Sequence, residues 1–405
     1  MAVLSFPWRK SAALPDSAAT PTANDRLSLL AAVVDLLPDP VLIVQRAAMP
    51  NAPVRVMASN AAAQELLRIR GDGESLIAVL RHPEVLGTVE NTLATGEGRT
   101  MTYETGGPQS RAFRVWTKML ENDARQSALV VLRDETDARR LERMRADFLA
   151  NASHELRTPL ASITAYVETL QGHARDDIEA RDRFLAIMSV QARRMGRLID
   201  DLMSLSRIEL NERVPPSGVC DVALVAREVI DGLLPVCSGK NVRLQLTAPA
   251  GSQVVASGER DQIAQVMQNL IDNAVKYAPE GTTVLISVNA SASFEPEAEG
   301  PDANVLREQG GGRVCLVSPE RSHEQRYVMV RIADQGSGIA REHLPRLTER
   351  FYRVPGQKSG EIGGTGLGLA IVKHIVNRHR GGLAVESVPG QGTVFAVFLP
   401  QGEFG

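Results

Sequence analysis

Cysteine and aromatic residues are scarce in this chain, and long apolar runs are missing. Three cysteines occur in 405 residues, at Cys220, Cys237 and Cys315. They form no C-x-x-C pair and no zinc spacing, which argues for a reducing compartment and against a structural metal. Aromatic residues make up 4% of the chain, too few for a base-stacking platform. Neither sign of charge dominates: 45 Lys and Arg against 48 Asp and Glu leave a net charge of -3. No basic field is present to hold nucleic acid directly. A membrane-spanning helix needs about 20 mostly apolar residues. The best run, 29–37, is short, contains Asp35 and is followed by Pro38, so the expected location is cytoplasmic. Residues 1–24 lack the apolar core of a signal peptide and read as a disordered lead. Within it, Phe6, Trp8, Arg9 and Lys10 offer at most a weak peripheral contact with the inner membrane face.

What is present divides into three parts. Residues 25–136 read as a small α+β module of five short strands, at 39–45, 54–58, 99–104, 112–120 and 127–132, with helices at 60–69 and 83–95 between the second and third. This module contains no cysteine, which excludes a flavin-cysteine photoadduct. His82 precedes Pro83 and reads as a loop residue rather than a haem ligand. Residues 137–214 carry apolar positions at threes and fours, first Leu141, Met144, Phe148, Ala152, Leu156, Leu160, Ile163, Val167 and Leu170, then Phe184, Met188, Met195, Leu198, Leu202, Leu205 and Ile208. Two amphipathic helices with a break at 172–177 make an antiparallel hairpin, and a homodimer of hairpins, a four-helix bundle, covers its core. Residues 215–405 read as mixed α/β, with helices at 221–233 and 259–278 and strands at 242–246, 283–288, 327–333 and 393–399. The stretch 290–326 reads as a long, mobile hairpin insertion serving as inert filler.

Of seven histidines, only His154 has informative neighbours. It lies in Ser153-His154-Glu155-Leu156-Arg157-Thr158-Pro159-Leu160. Ala152 and Leu156 bracket it on the seam, and two positions from either is about 200° around a helix, so His154 points to solvent. Thr158 shares its face one turn on. An exposed imidazole next to the Glu155 carboxylate suits nucleophilic work, the carboxylate holding the ring tautomer and accepting a proton. Pro159 inside the helix is costly, about 3 kcal/mol, and should bend it. Two glycine-rich loops follow later. Asp334-Gln335-Gly336-Ser337-Gly338-Ile339 comes directly after a strand, and Gly363-Gly364-Thr365-Gly366-Leu367-Gly368-Leu369 leads into a helix. Backbone amides in such loops approach phosphates, and Asp334 can accept from an exocyclic amine. On a helix that precedes both, Asn269 and Asn273 share a face, with amide oxygens suited to a hydrated Mg2+, and Lys276 can meet a phosphate. Each element alone also fits an ordinary solvated helix or turn.

Together, in this order, these motifs resemble the sensor histidine kinases of two-component systems. Residues 153–160 are similar to the phospho-acceptor box, 269–277 to the N box, 334–339 to the first glycine box, Phe351-Tyr352-Arg353 to the F box and 363–369 to the second glycine box. Within the family, the run 363–382 most resembles the phosphate-regulon sensor kinases. The front module, with Asn-Ala-Ala-Ala after a strand, resembles a PAS sensor domain. The resemblance implies a multidomain α+β chain: a PAS-like sensor, a dimeric helical hairpin and a Bergerat-type α/β sandwich that binds ATP. It implies that Asp334 reads adenine, that Asn273 holds Mg2+, and that Lys276, Tyr277 and Arg353 lie near the phosphates. Asn269, Gly336, Gly338, Thr365 and Leu367 complete the nucleotide boxes, and Gly364, Gly366 and Gly368 close a lid spanning 345–364. His154 is then the phosphorylated residue, with Glu155 and Thr158 beside it, and the partner is a response-regulator receiver domain. Thr158 would position water for dephosphorylating that partner. Any external signal would arrive through a membrane-bound partner. The alternatives are a silent pseudokinase scaffold and a Bergerat-fold ATPase. The ATPase reading lacks its water-activating glutamate, because Asn269 stands at that position.

Overall fold

A computed structural model describes residues 29, 32–47, 52–71, 73–105, 110–120, 126–172, 174–212, 214–249, 253–294, 311–319, 325–355 and 364–402. The lead 1–24, residues 356–363 of the lid, and residues 295–310 and 320–324 of the 290–326 stretch lie outside the described residues. The chain forms two compact units, Met1–Asp147 and Phe148–Gly405, and the division falls inside the helix Thr136–Gln171.

In the first unit, strands β1 (Val41–Arg46), β2 (Val54–Ser59), β3 (Arg99–Glu104), β4 (Ala112–Leu120) and β5 (Gln126–Asp134) form one antiparallel sheet in the order β2-β1-β5-β4-β3. Alternation puts Leu42, Val44, Val56, Val115, Val130 and Leu132 on the buried face. The helix Pro83–Thr95 covers it with Val85, Val89 and Leu93. Proline at its first turn and Gly96 in the left-handed region (φ 76) set its ends. Buried Asn60 ties this unit together. Its carbonyl accepts from Val41 N and Ala63 N, both at 2.9 Å, and its amide donates to the carbonyls of Val34, Leu37 and Asp39. Every polar atom of that side chain is thus satisfied, which its burial requires.

In the second unit, the part of the helix Thr136–Gln171 from Phe148 onward and the helix Ile178–Leu210 form the hairpin. Asp177 caps the second, accepting from Ala180 N at 2.9 Å. The first helix runs on through Pro159. The second seam does not serve the hairpin alone. Leu198, Leu205 and Ile208 are buried in the core shared with the C-terminal module, whereas Ile199 and Met203 are exposed on another face.

The C-terminal module has a six-stranded sheet in the order β10-β12-β13-β11-β9-β7, in which only β7 and β9 run parallel. Its strands are β7 (Arg243–Thr247), β9 (Thr283–Ala292), β10 (Gly312–Val317), β11 (Tyr327–Asp334), β12 (Gly382–Val388) and β13 (Gly392–Pro400). The short strands β6 (Val219–Asp221) and β8 (Val255–Ser257) pair with each other. The helices Val222–Lys240, Arg260–Tyr277 and Gly368–Arg378 pack on one face, burying Val225, Met267, Leu270 and Ile375 against Val330, Ile332 and Val397. The first of these passes Pro235 and ends at Lys240, seven residues beyond the expected end. Its apolar stripe continues to Cys237, which is buried.

The described parts of 290–326 depart from the expected hairpin insertion, because residues up to Ala292 extend β9 and Gly312–Val317 form β10. β10 lies at the far edge of the sheet from β7, paired with β12 from Gly312↔Ser387 to Val317↔Leu383. Phe294 sits on the sheet face opposite the helices, edge-on to Phe398 at 5.0 Å and 6.3 Å from Tyr327. Gly382 makes room for it, because a Cβ there would fall 2.4 Å from the Phe294 ring. His379 is 3% exposed. Its Nδ1 donates to the Ile375 carbonyl (2.8 Å) and its Nε2 accepts from Glu259 N (3.1 Å). Burial lowers its basicity, so it is a neutral core residue joining two helices.

Phe294→Ala should destabilise the second unit by about 2–3 kcal/mol, less than a fully buried phenylalanine because Phe294 is only partly covered. Chemical denaturation of the full chain checks this. A change within about 0.5 kcal/mol would return the stretch to the status of filler.

Candidate functional site

The helix Arg260–Tyr277 buries Ile263, Val266, Met267, Leu270, Ile271, Ala274 and Val275. That stripe leaves Asn269, Asn273 and Lys276 on another face, at spacings of four and three. Asn269 donates from its amide to the Gly368 carbonyl at 3.4 Å, tying this helix to the start of Gly368–Arg378. Asn273 is half-buried beside it. The helix end is fixed by Lys240, whose ammonium donates to the Val275 carbonyl at 2.8 Å. Lys276 Nζ lies 5.0 Å from the Tyr277 ring centroid. Its pKa is lowered to about 8, chiefly by burial and then by Arg353, with Arg197 and Arg194 acting in the same direction and Asp272 opposing. Tyr277 is 41% exposed.

Asp334 ends β11 with its carboxylate half-buried. Burial pushes its pKa up, while hydrogen bonds from the Gly336 and Thr393 amides hold it down. The Gly336 bond is 2.7 Å. Only glycine fits at 336, since a Cβ would lie 2.7 Å from Asp334 Oδ1 and 2.8 Å from the Tyr277 carbonyl. The first glycine loop is therefore pressed against the end of the Asn269–Asn273 helix. Gly338 turns the chain with φ 65.

In the second loop Gly363 lies outside the described residues. Gly364 abuts Lys276, a Cβ there falling 2.9 Å from Nζ. Gly366 has φ 75, and its carbonyl accepts from Phe351 N at 2.9 Å. Leu367 is buried, and Gly368 opens the last helix. Thr365 points elsewhere: its hydroxyl donates to Asp201 Oδ2 on the second hairpin helix at 2.6 Å. Arg353 is exposed, and Tyr352 hydrogen-bonds His343 Nδ1 at 2.8 Å. Asn269, Asn273, Lys276, Tyr277, Asp334, Gly336 and Gly364 are thus brought together by two helix ends and two loops. Glycine backbone and two cations at one mouth fit a polyphosphate.

On the hairpin, His154 is exposed, as the seam spacing requires, and Ala152 is buried. The His154 side chain has no hydrogen-bond partner among the described residues. Thr158 Oγ1 donates to the His154 carbonyl at 3.3 Å. Glu155 does not hold the ring. Its carboxylate pairs with Arg194 of the second helix at 3.2 Å, because successive helical side chains diverge by about 100°.

Sequence reasoning missed how the C-terminal module sits on the second hairpin helix. Ser204 bonds Gln265 at 2.8 Å, Glu209 pairs with Arg350, and His374 lies 3.2 Å from Glu212 and 3.5 Å from Glu209. Phe148 packs on Phe351 with ring centroids 5.9 Å apart. The available signal was polar residues at positions 201, 204 and 212, interleaved with the apolar 198, 205 and 208.

Residues 258–403 match the family described as histidine kinase-, DNA gyrase B- and HSP90-like ATPase. Residues 144–211 match the His Kinase A (phospho-acceptor) domain. The chain is similar to the sensor-like histidine kinase SenX3 of Mycolicibacterium smegmatis, 32% identical over 295 residues, 73% of this chain and 67% of that protein. It is also similar to the phosphate regulon sensor protein PhoR of Pseudomonas aeruginosa, 33% identical over 339 residues, 83% of this chain and 67% of that one. The structure of histidine kinase ThkA in complex with response regulator protein TrrA aligns over 92% of this chain and 98% of that one, at 16% identity and a TM-score of 0.46.

Lys276 loses its charge as pH rises through about 8. An anionic nucleotide binds the protonated form better, so affinity should fall as pH rises through that value. Titrating a non-hydrolysable ATP analogue between pH 7 and 9.5 should show the loss, and Lys276→Arg should flatten it. A wild-type affinity constant across that window would remove Lys276 from the phosphate site.

Proposed function

Because this chain belongs to the sensor histidine kinase family, we propose that its ATP-dependent kinase activity phosphorylates His154 and that the group then passes to an aspartate of a response-regulator receiver domain. The observation that carries this reading is the exposed imidazole of His154, unpaired among the described residues, within the phospho-acceptor match, on a hairpin whose second helix is bound to the second glycine loop. Adenine would be read by Asp334, whose carboxylate is held in place by the Gly336 amide. The phosphates would lie along Gly364, Lys276 and Arg353.

Asn273 offers one amide oxygen, and no cluster of three His, Cys, Asp or Glu among the described residues forms a protein cage for a metal. A single oxygen suits Mg2+, which keeps most of its ligands as water and phosphate. When bound, Mg2+ would neutralise charge on the phosphate chain. In the transfer, a ring nitrogen of His154 forms a bond to the γ-phosphorus while the bond to the bridging oxygen breaks and ADP leaves. Glu155, the next residue along the helix, would take the imidazole proton once released from Arg194. Thr158 would align water for hydrolysis of the regulator's acyl phosphate. The exposed Leu149, Leu160, Leu185, Ile199 and Met203 support a homodimer through the hairpin, where burial removes apolar surface from water. The front sheet, in the order β2-β1-β5-β4-β3, supports a PAS-type sensor module. The likeness to a phosphate regulon sensor supports a role in phosphate-starvation signalling.

Radiolabelled ATP should label the wild-type chain and leave His154→Gln unlabelled; equal labelling would sink the assignment. Thr158→Ala should keep autophosphorylation within about twofold but lose at least about tenfold in dephosphorylation of the receiver domain. Unchanged dephosphorylation would leave Thr158 without this role.

A further inference from the structure

A cation that belongs to none of the nucleotide motifs is paired to the residue that follows the acceptor histidine. Arg194, on the second hairpin helix, lies 3.2 Å from the carboxylate of Glu155, and both side chains are about a third exposed, at 30% and 32%. Glu155 follows His154 in the chain, so this guanidinium is anchored one residue from the acceptor. Seven residues on, two helical turns and about 10 Å along the axis, Asp201 accepts from Thr365 of the glycine loop. Gly364, the residue before Thr365 in that loop, abuts the Lys276 ammonium. Arg194 and Asp201 therefore share one helix face, and that face runs from the Glu155 ion pair to the second glycine loop. Lys276 senses Arg194 and Arg197 as well as its own module's Arg353, which places these cations around one locus.

Such a grouping is unfavourable by itself, since like charges repel. It becomes favourable around an oxyanion. Arginine's planar fork grips phosphoryl oxygens in two parallel bonds and exchanges readily between carboxylate and phosphate. The ion pair with Glu155 is also solvent-accessible, a kind worth only about 0–1 kcal/mol, so it opens at little cost.

We propose that Arg194 is a further catalytic residue of phosphoryl transfer, exchanging Glu155 for the γ-phosphoryl oxygens as the group crosses to His154. This rests on the His154 reading above. The exchange does two things at once. The guanidinium offsets charge on the equatorial oxygens while the nitrogen–phosphorus bond forms and the bond to ADP breaks, its electron pair leaving with ADP. The freed Glu155 carboxylate takes the proton from the imidazole. In the resting arrangement the same pair keeps Glu155 engaged, which couples base release to arrival of the phosphoryl group.

The test uses the full chain with Arg194→Gln, Arg194→Lys and, as a control, Arg193→Gln, whose side chain rests on Ser189 at 2.7 Å. Autophosphorylation kcat is measured together with the Kd of a non-hydrolysable ATP analogue and the melting temperature. Arg194→Gln should lower kcat roughly tenfold to a hundredfold while Kd stays within about twofold. Its melting temperature should match that of the Arg193→Gln control. Arg194→Lys should recover part of the rate, because it keeps the charge but loses the fork. An unchanged kcat, or a loss accompanied by an equal loss of nucleotide affinity or by a lowered melting temperature, overturns the proposal. Absence of label on His154 in the wild type would instead defeat the parent reading, so the two failures are separable.

Discussion

Phosphoryl transfer between two modules requires donor and acceptor to be held within bonding reach, and in this chain that requirement falls on one face of the helix Ile178–Leu210. Leu198, Leu205 and Ile208 of that face are buried in the core of the C-terminal module. Between them, Asp201 and Ser204 bond Thr365 and Gln265. The helix is therefore a wall of the nucleotide module as well as half of the hairpin. Removing either set of contacts would leave the acceptor and the glycine loops without a shared reference.

The contacts on this face differ in strength. Burying large aliphatic side chains contributes about 1.5–3 kcal/mol each. The flanking pairs, Glu209 with Arg350 and Glu212 with His374, are partly exposed, a class worth about 0–1 kcal/mol. Burial raises the pKa of Asp201, with Thr365 and Arg197 opposing, so this hydrogen bond is formed at some desolvation cost. A small apolar contact bordered by weak polar latches can hold the module and still release it, as sequential exchange with ATP and with a receiver domain would demand.

Much of this was legible from residues read singly. Helical periodicity predicted that His154 faces solvent and that Asn269, Asn273 and Lys276 share a face. A strand followed by glycines located Asp334 at a sheet end. What periodicity could not reveal were pairings between distant residues. Glu155 looked free to hold His154, because nothing local discloses that Arg194 arrives 39 positions later. Thr365 looked like a phosphate ligand, because Asp201 lies 164 residues earlier. His379 had no informative neighbours in the sequence, yet Glu259, 120 positions away, supplies its second hydrogen bond. The strand at Gly312–Val317 was obscured by the glycines before it, and its partner β12 by the glycines flanking it. In each case the deciding interaction is tertiary, and local propensity yields to it.

The central claim is that the nucleotide site serves His154 rather than water. Its most direct test is to incubate the full chain with ATP and Mg2+, quench at alkaline pH to preserve a phosphoramidate, and map phosphorylated peptides by mass spectrometry. The account predicts an acid-labile phosphate on the peptide containing His154 and on no other histidine. Release of inorganic phosphate with no protein-bound phosphoramidate, or a phosphoramidate on His343 or His374 instead, would contradict it.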